Sequence, residues 1–197
     1  MGNLLYFGGL DPALRVDNTA LTILEYDFRT KVLSQWGDVE VWPHIHPKKI
    51  GDDLLKIHSS IRFTRIGYDR LGSGEIVQLF SPKLPMYEVI SSLTIKQDII
   101  GELKLLWDSK RLVISDAELF REISEQEKVV SDAGNILYRH PEGFHDDRFW
   151  SLGYAAKSAT DYLKGKAGVG IGVAGGMTVH DLEVLTEKEI NKQLGIA

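Results

Sequence analysis

A mixed α/β sheet with helices on both faces is the fold class that the sequence predicts. Two observations lead there. From Leu4 to Ile45 the chain is a succession of short apolar runs, rich in β-formers and broken by turn signals such as "VDN" and "WGD", the pattern of an antiparallel opening meander. From Pro47 onward the apolar period changes, and segments of helical spacing alternate with short strands, the order expected of a sheet covered on both sides. At 197 residues the chain is long enough for a full core.

"LLYFGGLDPA" is an apolar run that ends in Asp11, with Pro12 stopping further pairing. "TALTILEYDF" reads as a second strand, with "KVLSQWG" and "VEVWPHI" as its partners. After Pro47, Ile50, Leu54, Ile57 and Ile61 form a helical stripe. "FTRIGYD" is a strand ending at Asp69, and "GSGE" turns the chain into "EIVQLF". "MYEVISSLT" reads as a strand, and "IKQDIIGELKLLWDSK" as a helix with Ile95, Ile99, Leu103 and Trp107 on one face. "RLVIS" is another short strand. "DAELFREISEQEK" is a helix capped by Asp116 or Ser115, and "GNILYRH" is the last strand. In "HPEGFHDDRFWSLGYAAKSA", Phe149, Leu152, Ala156 and Ala159 recur at helical spacing, with Lys157, Ser158 and Asp161 on the other side. The ordered domain is therefore expected over 1–164. The glycine-rich stretch from 165 to 197 is expected to be an extension, with a short helix after Thr186; its glycines lack the strand-then-helix context of a nucleotide loop.

Composition narrows the chemistry. With 43% hydrophobic and 26% charged residues the chain is an ordinary globule, and no apolar run approaches membrane-spanning length. The N-terminus lacks the features of a signal peptide, so a cytoplasmic location, with no membrane partner, is the simplest expectation. The absence of cysteine excludes disulfides, thiolate metal sites and cysteine nucleophiles. No G-x-S-x-G segment marks a serine hydrolase. A net charge of −5 opposes strong unaided binding to nucleic acid, although a carboxylate cluster filled by cations restores positive charge locally.

The acids stand at the ends of elements. Asp11 and Asp69 each end a strand, and Asp146 and Asp147 begin the last long helix beside His145. In an open α/β sheet such positions gather along one edge. One Asp at a helix start is explained by capping. A second beside it adds repulsion that a divalent cation would relieve. Two such cations about 4 Å apart are the apparatus of phosphodiester hydrolysis, and oxygen donors suit Mg²⁺ or Mn²⁺.

These residues also resemble a family. "GGLDPALRVDNTALTILEYD" looks like the opening strands of the nuclease domain of viral, phage-type terminase large subunits. "IGYDRLGSGEIVQLF" resembles that family's second acidic strand, with its glycine-containing turn into a helix. "LKLLWDSKRLVISDAELFREI" is similar to the following helix–strand–helix, and "FHDDRFWSLGYA" to the closing acidic helix. The resemblance runs in order from about residue 5 to residue 163. It implies an RNase H-like fold and a metal-dependent DNA endonuclease acting in viral genome packaging, in the host cytoplasm. Asp11 would be the bridging ligand of two Mg²⁺ or Mn²⁺ ions and Asp69 the second acid. Asp146 or Asp147 would complete the site. His145 would be a neighbouring ligand, a proton-transfer group or a phosphate contact, and Asp17 a supporting residue. Double-stranded DNA is the implied substrate. Complete large subunits also carry an ATPase, and no GxxxxGK[ST] loop is present here, so a packaging ATPase on a separate chain, or an excised or independent nuclease, is expected.

Other groups fit weaker functions. His44 and His46 share a spacing that could serve zinc. Arg62, Arg65, Arg70 and Lys83 flank the second acidic strand, and Arg148 and Lys157 lie in the last helix; all could touch a DNA backbone. A Holliday-junction-type resolvase and a non-catalytic RNase H-like docking module of a packaging or recombination assembly are the alternative functions.

Overall fold

The computed structural model describes residues 4–12, 18–43, 45–70, 74–90, 92–131 and 136–167. The chain opens with β1 (Leu4–Asp11), β2 (Asn18–Asp27), β3 (Val32–Gln35) and β4 (Glu40–Pro43), and continues through α1 (Pro47–Ile61) and β5 (Phe63–Asp69). There follow α2 (Gly74–Phe80), β6 (Met86–Val89), α3 (Leu93–Asp108), β7 (Leu112–Val113) and α4 (Ala117–Ser124). β8 (Glu127–Val130), β9 (Ile136–Arg139) and α5 (Asp147–Ala167) complete it. The main sheet runs in the order β6-β5-β1-β2-β3-β7. β1, β5 and β6 are mutually parallel, and β2 is antiparallel to β1.

The opening is an antiparallel meander with one departure: β4 does not extend it beyond β3. Residues 24–27 of β2 pair with β3, and residues 18–21 pair with β4 on the same edge. β3 is four residues long, too short to cover ten-residue β2, so half of that edge remains for β4.

Side-chain alternation along the strands divides the core in two. On one face Phe7, Ala20 and Leu24 pack with Ile99, Leu103, Leu119, Phe120 and the apolar side of α5. On the other, Leu10, Leu21 and Ile66 pack with Ile50 and Leu54 of α1 and Ile76 and Phe80 of α2. The sheet is therefore covered by helices on both faces, as the alternation of periods requires. Among the described residues no helix is long and apolar enough to cross a membrane.

Three local readings need correction. The helix expected across "DAELFREISEQEK" is capped by Asp116, one of the two residues expected there, but it stops at Ser124. The β-branched pair Val129 and Val130 then belongs to strand β8, which pairs with β9 in a separate two-stranded sheet. The strand expected over "MYEVISSLT" ends at Val89, because Ser92 accepts a hydrogen bond from the Ile95 N–H and starts α3 two residues before the expected helix. The Gly-rich extension, Asp17 and the His44 half of the zinc pair lie outside the described residues; α5 itself runs on to Ala167.

Candidate functional site

Two parallel strands end side by side in aspartate. Leu10 of β1 stands in register with Tyr68 of β5, and Asp11 and Asp69 are the next residues of each. By alternation both acids share a face with Phe7, Gly9 and Gly67, the face covered by α5. Asn18 opens β2 at the same end of the sheet, since Asp11 pairs with Ala20. The N-terminus of α5, bearing Asp146 and Asp147, comes down over this edge.

Helix α5 reaches it because two strand residues lack side chains. A Cβ on Gly9 would lie 2.0 Å from the Ser151 carbonyl oxygen, and one on Gly67 would lie 2.4 Å from that of Tyr154. The helix backbone thus rests directly on the sheet, the close approach that glycine permits. Thr22 and Ser151 share a buried 2.7 Å hydrogen bond between hydroxyls, and Ser158 donates to the Gly8 carbonyl. These contacts fix α5 along its axis as well as in height.

The two aspartates at the head of α5 are held separately. Asp147 is buried. Its Oδ2 accepts from the Asn18 backbone N–H at 3.3 Å and from Asn18 Nδ2 at 3.4 Å, and stands 3.8 Å from His145 Nδ1. Asp146 accepts from the indole N–H of Trp150 at 2.9 Å and lies 3.8 Å from His140 Nε2. On the strand side, Tyr154 Oη donates to Asp69 Oδ2 at 3.4 Å. Lys96 of α3 lies over the Trp150 ring, 4.4 Å from its centroid.

Asp11 feels all of these groups. Its side chain keeps some contact with solvent but is otherwise surrounded by protein. Burial pushes its carboxyl well above the ordinary aspartate range, and the negative charges of Asp147, Asp146 and Asp69 push the same way, with Lys96 in partial opposition. The four predicted acids therefore do occupy one electrostatic neighbourhood. Among the described residues no three acidic or histidine side chains are grouped closely enough to enclose a metal ion unaided. The donor set consists of carboxylate oxygens, which fits a hard divalent cation that retains water.

The helix start is capped from elsewhere. Glu122 of α4, 1% exposed, accepts the backbone N–H of Arg148 at 2.8 Å and of Phe149 at 3.1 Å on one oxygen, Oε2. Its Oε1 accepts from Arg148 Nη1 at 3.1 Å. Capping thus explains neither Asp146 nor Asp147.

Several of the cations considered for DNA contact are engaged internally. Arg148 is paired with Glu122. Lys157 is paired with Asp161 and Glu102; burial works against its charge, but these carboxylates outweigh it and hold the ammonium above its usual range. Arg65 lies over the rings of Tyr87 and Tyr162, whereas Arg62 forms the left-handed C-cap of α1 through its backbone and keeps its side chain exposed. Arg70, which follows Asp69 directly, reaches Glu88 at 3.5 Å.

Sequence reasoning missed Asn18, Lys96, His140, Trp150, Tyr154 and Glu122 as parts of this neighbourhood. Trp150 stands four residues after Asp146, a helical spacing that was available to be read. His140 lies only six residues before Asp146, in the loop that leads into α5; Asn18, Lys96, Tyr154 and Glu122 are brought in by long-range packing that leaves no local signature.

No protein-family model matches the chain, and no curated protein matches it in sequence. Solved structures do match its fold. The large terminase nuclease from the thermophilic phage G20c has a TM-score of 0.67 at 18% identity over 79% of this chain and 82% of that one, and the same nuclease with bound magnesium has a TM-score of 0.66 at 17% identity, with the same coverage. The nuclease domain of the bacteriophage SPP1 large terminase, with bound Mn, has a TM-score of 0.56 at 16% identity over 79% of this chain and 86% of that one. The HK97 bacteriophage large terminase has a TM-score of 0.64 at 14% identity over 78% of this chain and 39% of that longer one. The chain thus has the RNase H-like fold of the phage large-terminase nuclease domains.

Proposed function

We propose that the chain is a metal-dependent DNA endonuclease that hydrolyses phosphodiester bonds during viral genome packaging. The observation that supports this most is the convergence of Asp11, Asp69, Asp146 and Asp147 at one sheet edge, in a fold shared with large-terminase nucleases solved with magnesium or manganese bound. In this reading Asp11 is the central carboxylate, with Asp69 on one side and the Asp146/Asp147 pair on the other. Two divalent ions, when bound, would supply activated water and stabilise the leaving oxygen.

The chain's own groups have distinct tasks. The like charges around Asp11 favour its protonated form, so the acids bind cations weakly until DNA phosphate oxygens complete the set. Asn18 fixes the Asp147 carboxylate, and Trp150 fixes that of Asp146. His145, with more than half its side chain exposed, is free to meet a phosphate or accept a proton. Lys96 stands close enough to offset part of the acids' charge and to face a substrate phosphate. The negative net charge fits delivery to double-stranded DNA by a partner such as a packaging ATPase, in the host cytoplasm.

Supercoiled plasmid tests this reading. The wild-type chain with Mn²⁺ or Mg²⁺ is expected to nick and linearise it, chelator to stop the reaction, and Asp11→Asn to lower the rate by more than about 100-fold. That loss exceeds the 10–100-fold typical of residues that only support a metal ligand. A folded wild-type chain that cuts in neither metal would refute autonomous cleavage.

A further inference from the structure

Glu122 presents a problem of cost. Burying a carboxylate is expensive, and here it satisfies the first N–H groups of a helix whose own start carries two aspartates, the residue type that performs this task locally at little cost. The pair it makes with Arg148 is imperfect as well, because Arg148 Nε is buried without a hydrogen-bond partner. Stability alone does not account for such an arrangement.

An Asp immediately before a helix turns its carboxylate back toward the N–H groups of the first turn unless those groups are already bound. Asp146 occupies that position. With the Arg148 and Phe149 N–H groups taken by Glu122 Oε2, its carboxylate instead reaches the Trp150 indole, and Asp147 turns to Asn18. We infer that Glu122 is a positioning residue which caps α5 in place of Asp146 and so leaves both aspartates available to metal. The inference rests on the metal-site reading above. It also explains why two acids stand together at this helix start: neither carboxylate is needed to cap the first N–H groups of α5, which Glu122 already holds.

The inference separates a hydrogen-bond role from a charge role. Gln at position 122 can keep both backbone bonds, because a single oxygen accepts both. Ala removes them and leaves Asp146 to cap the helix. Mn²⁺ binding to the full chain, followed by loss of the free-ion electron paramagnetic resonance signal, reads this without requiring cleavage, and circular dichroism checks the fold. Glu122→Ala is expected to bind Mn²⁺ about tenfold more weakly or worse, in line with groups that orient metal ligands, while Glu122→Gln stays near wild type. A folded Glu122→Ala with wild-type affinity would overturn the inference, as would a Glu122→Gln as weak as Glu122→Ala, which would implicate charge. If Glu122→Ala does not fold, Glu122→Asp takes its place: its shorter reach is expected to weaken Mn²⁺ binding, and unchanged affinity would overturn the proposal. A wild-type chain that takes up no Mn²⁺, either alone or with duplex DNA present beyond what the DNA binds by itself, would sink the metal-site reading, and the inference with it.

Discussion

At the scale of single residues, Asp11 is where the structure works against itself. Its raised pKa means that the folded, metal-free chain holds the Asp11 proton more tightly than the unfolded chain does. Its contribution to stability is therefore most favourable below the ordinary aspartate value and declines as the pH rises through the raised folded value. In chelator, thermal stability is expected to fall over that window, and Asp11→Asn is expected to flatten the dependence. At neutral pH the same variant is expected to melt about 2–4 °C higher than wild type, the shift that roughly 1 kcal/mol produces in a domain of this size. A gain in stability with loss of cleavage is the signature of a functional acid; a loss of both would mark Asp11 as structural. Asp11 and Asp69 were legible in sequence because each ends a strand run, a position that can be read one segment at a time. Glu122 and Asn18 were not, since their partners lie 26 and 129 residues away along the chain.

At the scale of elements, the seat of α5 on the sheet decides whether the acids meet. Gly9 and Gly67 form a bare strip beneath the helix backbone, and a methyl group there cannot be absorbed by turning a side chain, since it would strike main-chain atoms. Gly9→Ala is expected to cost about 1–3 kcal/mol or more, as overpacking does, read as a lower denaturation midpoint. It is also expected to weaken Mn²⁺ binding by lifting Asp147 away from β1. Retention of wild-type metal affinity by a destabilised Gly9→Ala would show that α5 can shift without opening the site. The long helices were legible because their apolar stripes repeat over several turns. The boundaries at Ser92 and Ser124 were less so. There a cap or a β-branched pair overrode the propensity of a short neighbouring run, and both act over only two or three residues.

At the scale of the whole molecule, charge and topology pull in different directions. The chain carries a net −5, and Arg65, Arg148 and Lys157 are engaged by rings or carboxylates of its own. Those three cations are thereby withheld from a DNA backbone. Affinity for duplex DNA in chelator is therefore expected to be weak, with a shallow dependence on salt compared with a basic DNA-binding protein. Divalent metal is expected to strengthen it, which filter binding or fluorescence anisotropy would measure; steep salt dependence without metal would contradict this account. The mixed sheet was legible from the change of period at Pro47, because antiparallel and alternating regions differ over long spans of sequence. The split edge of β2 and the separate β8–β9 sheet were not, as each depends on which of several short strands finds which partner.

The chain order of the four acids has a further consequence, during synthesis. Asp11 and Asp69 belong to its first half, whereas Asp146 and Asp147 arrive only with α5, whose contacts with Gly8 and Thr22 span 129 to 150 residues. Closing so long a connection is a slow step in folding. A ribosome-bound or truncated chain that stops before Asp146 holds two of the four carboxylates and an uncovered sheet face. In the proposed nuclease the carboxylate set would be completed, and cleavage would become possible, only once α5 is laid down.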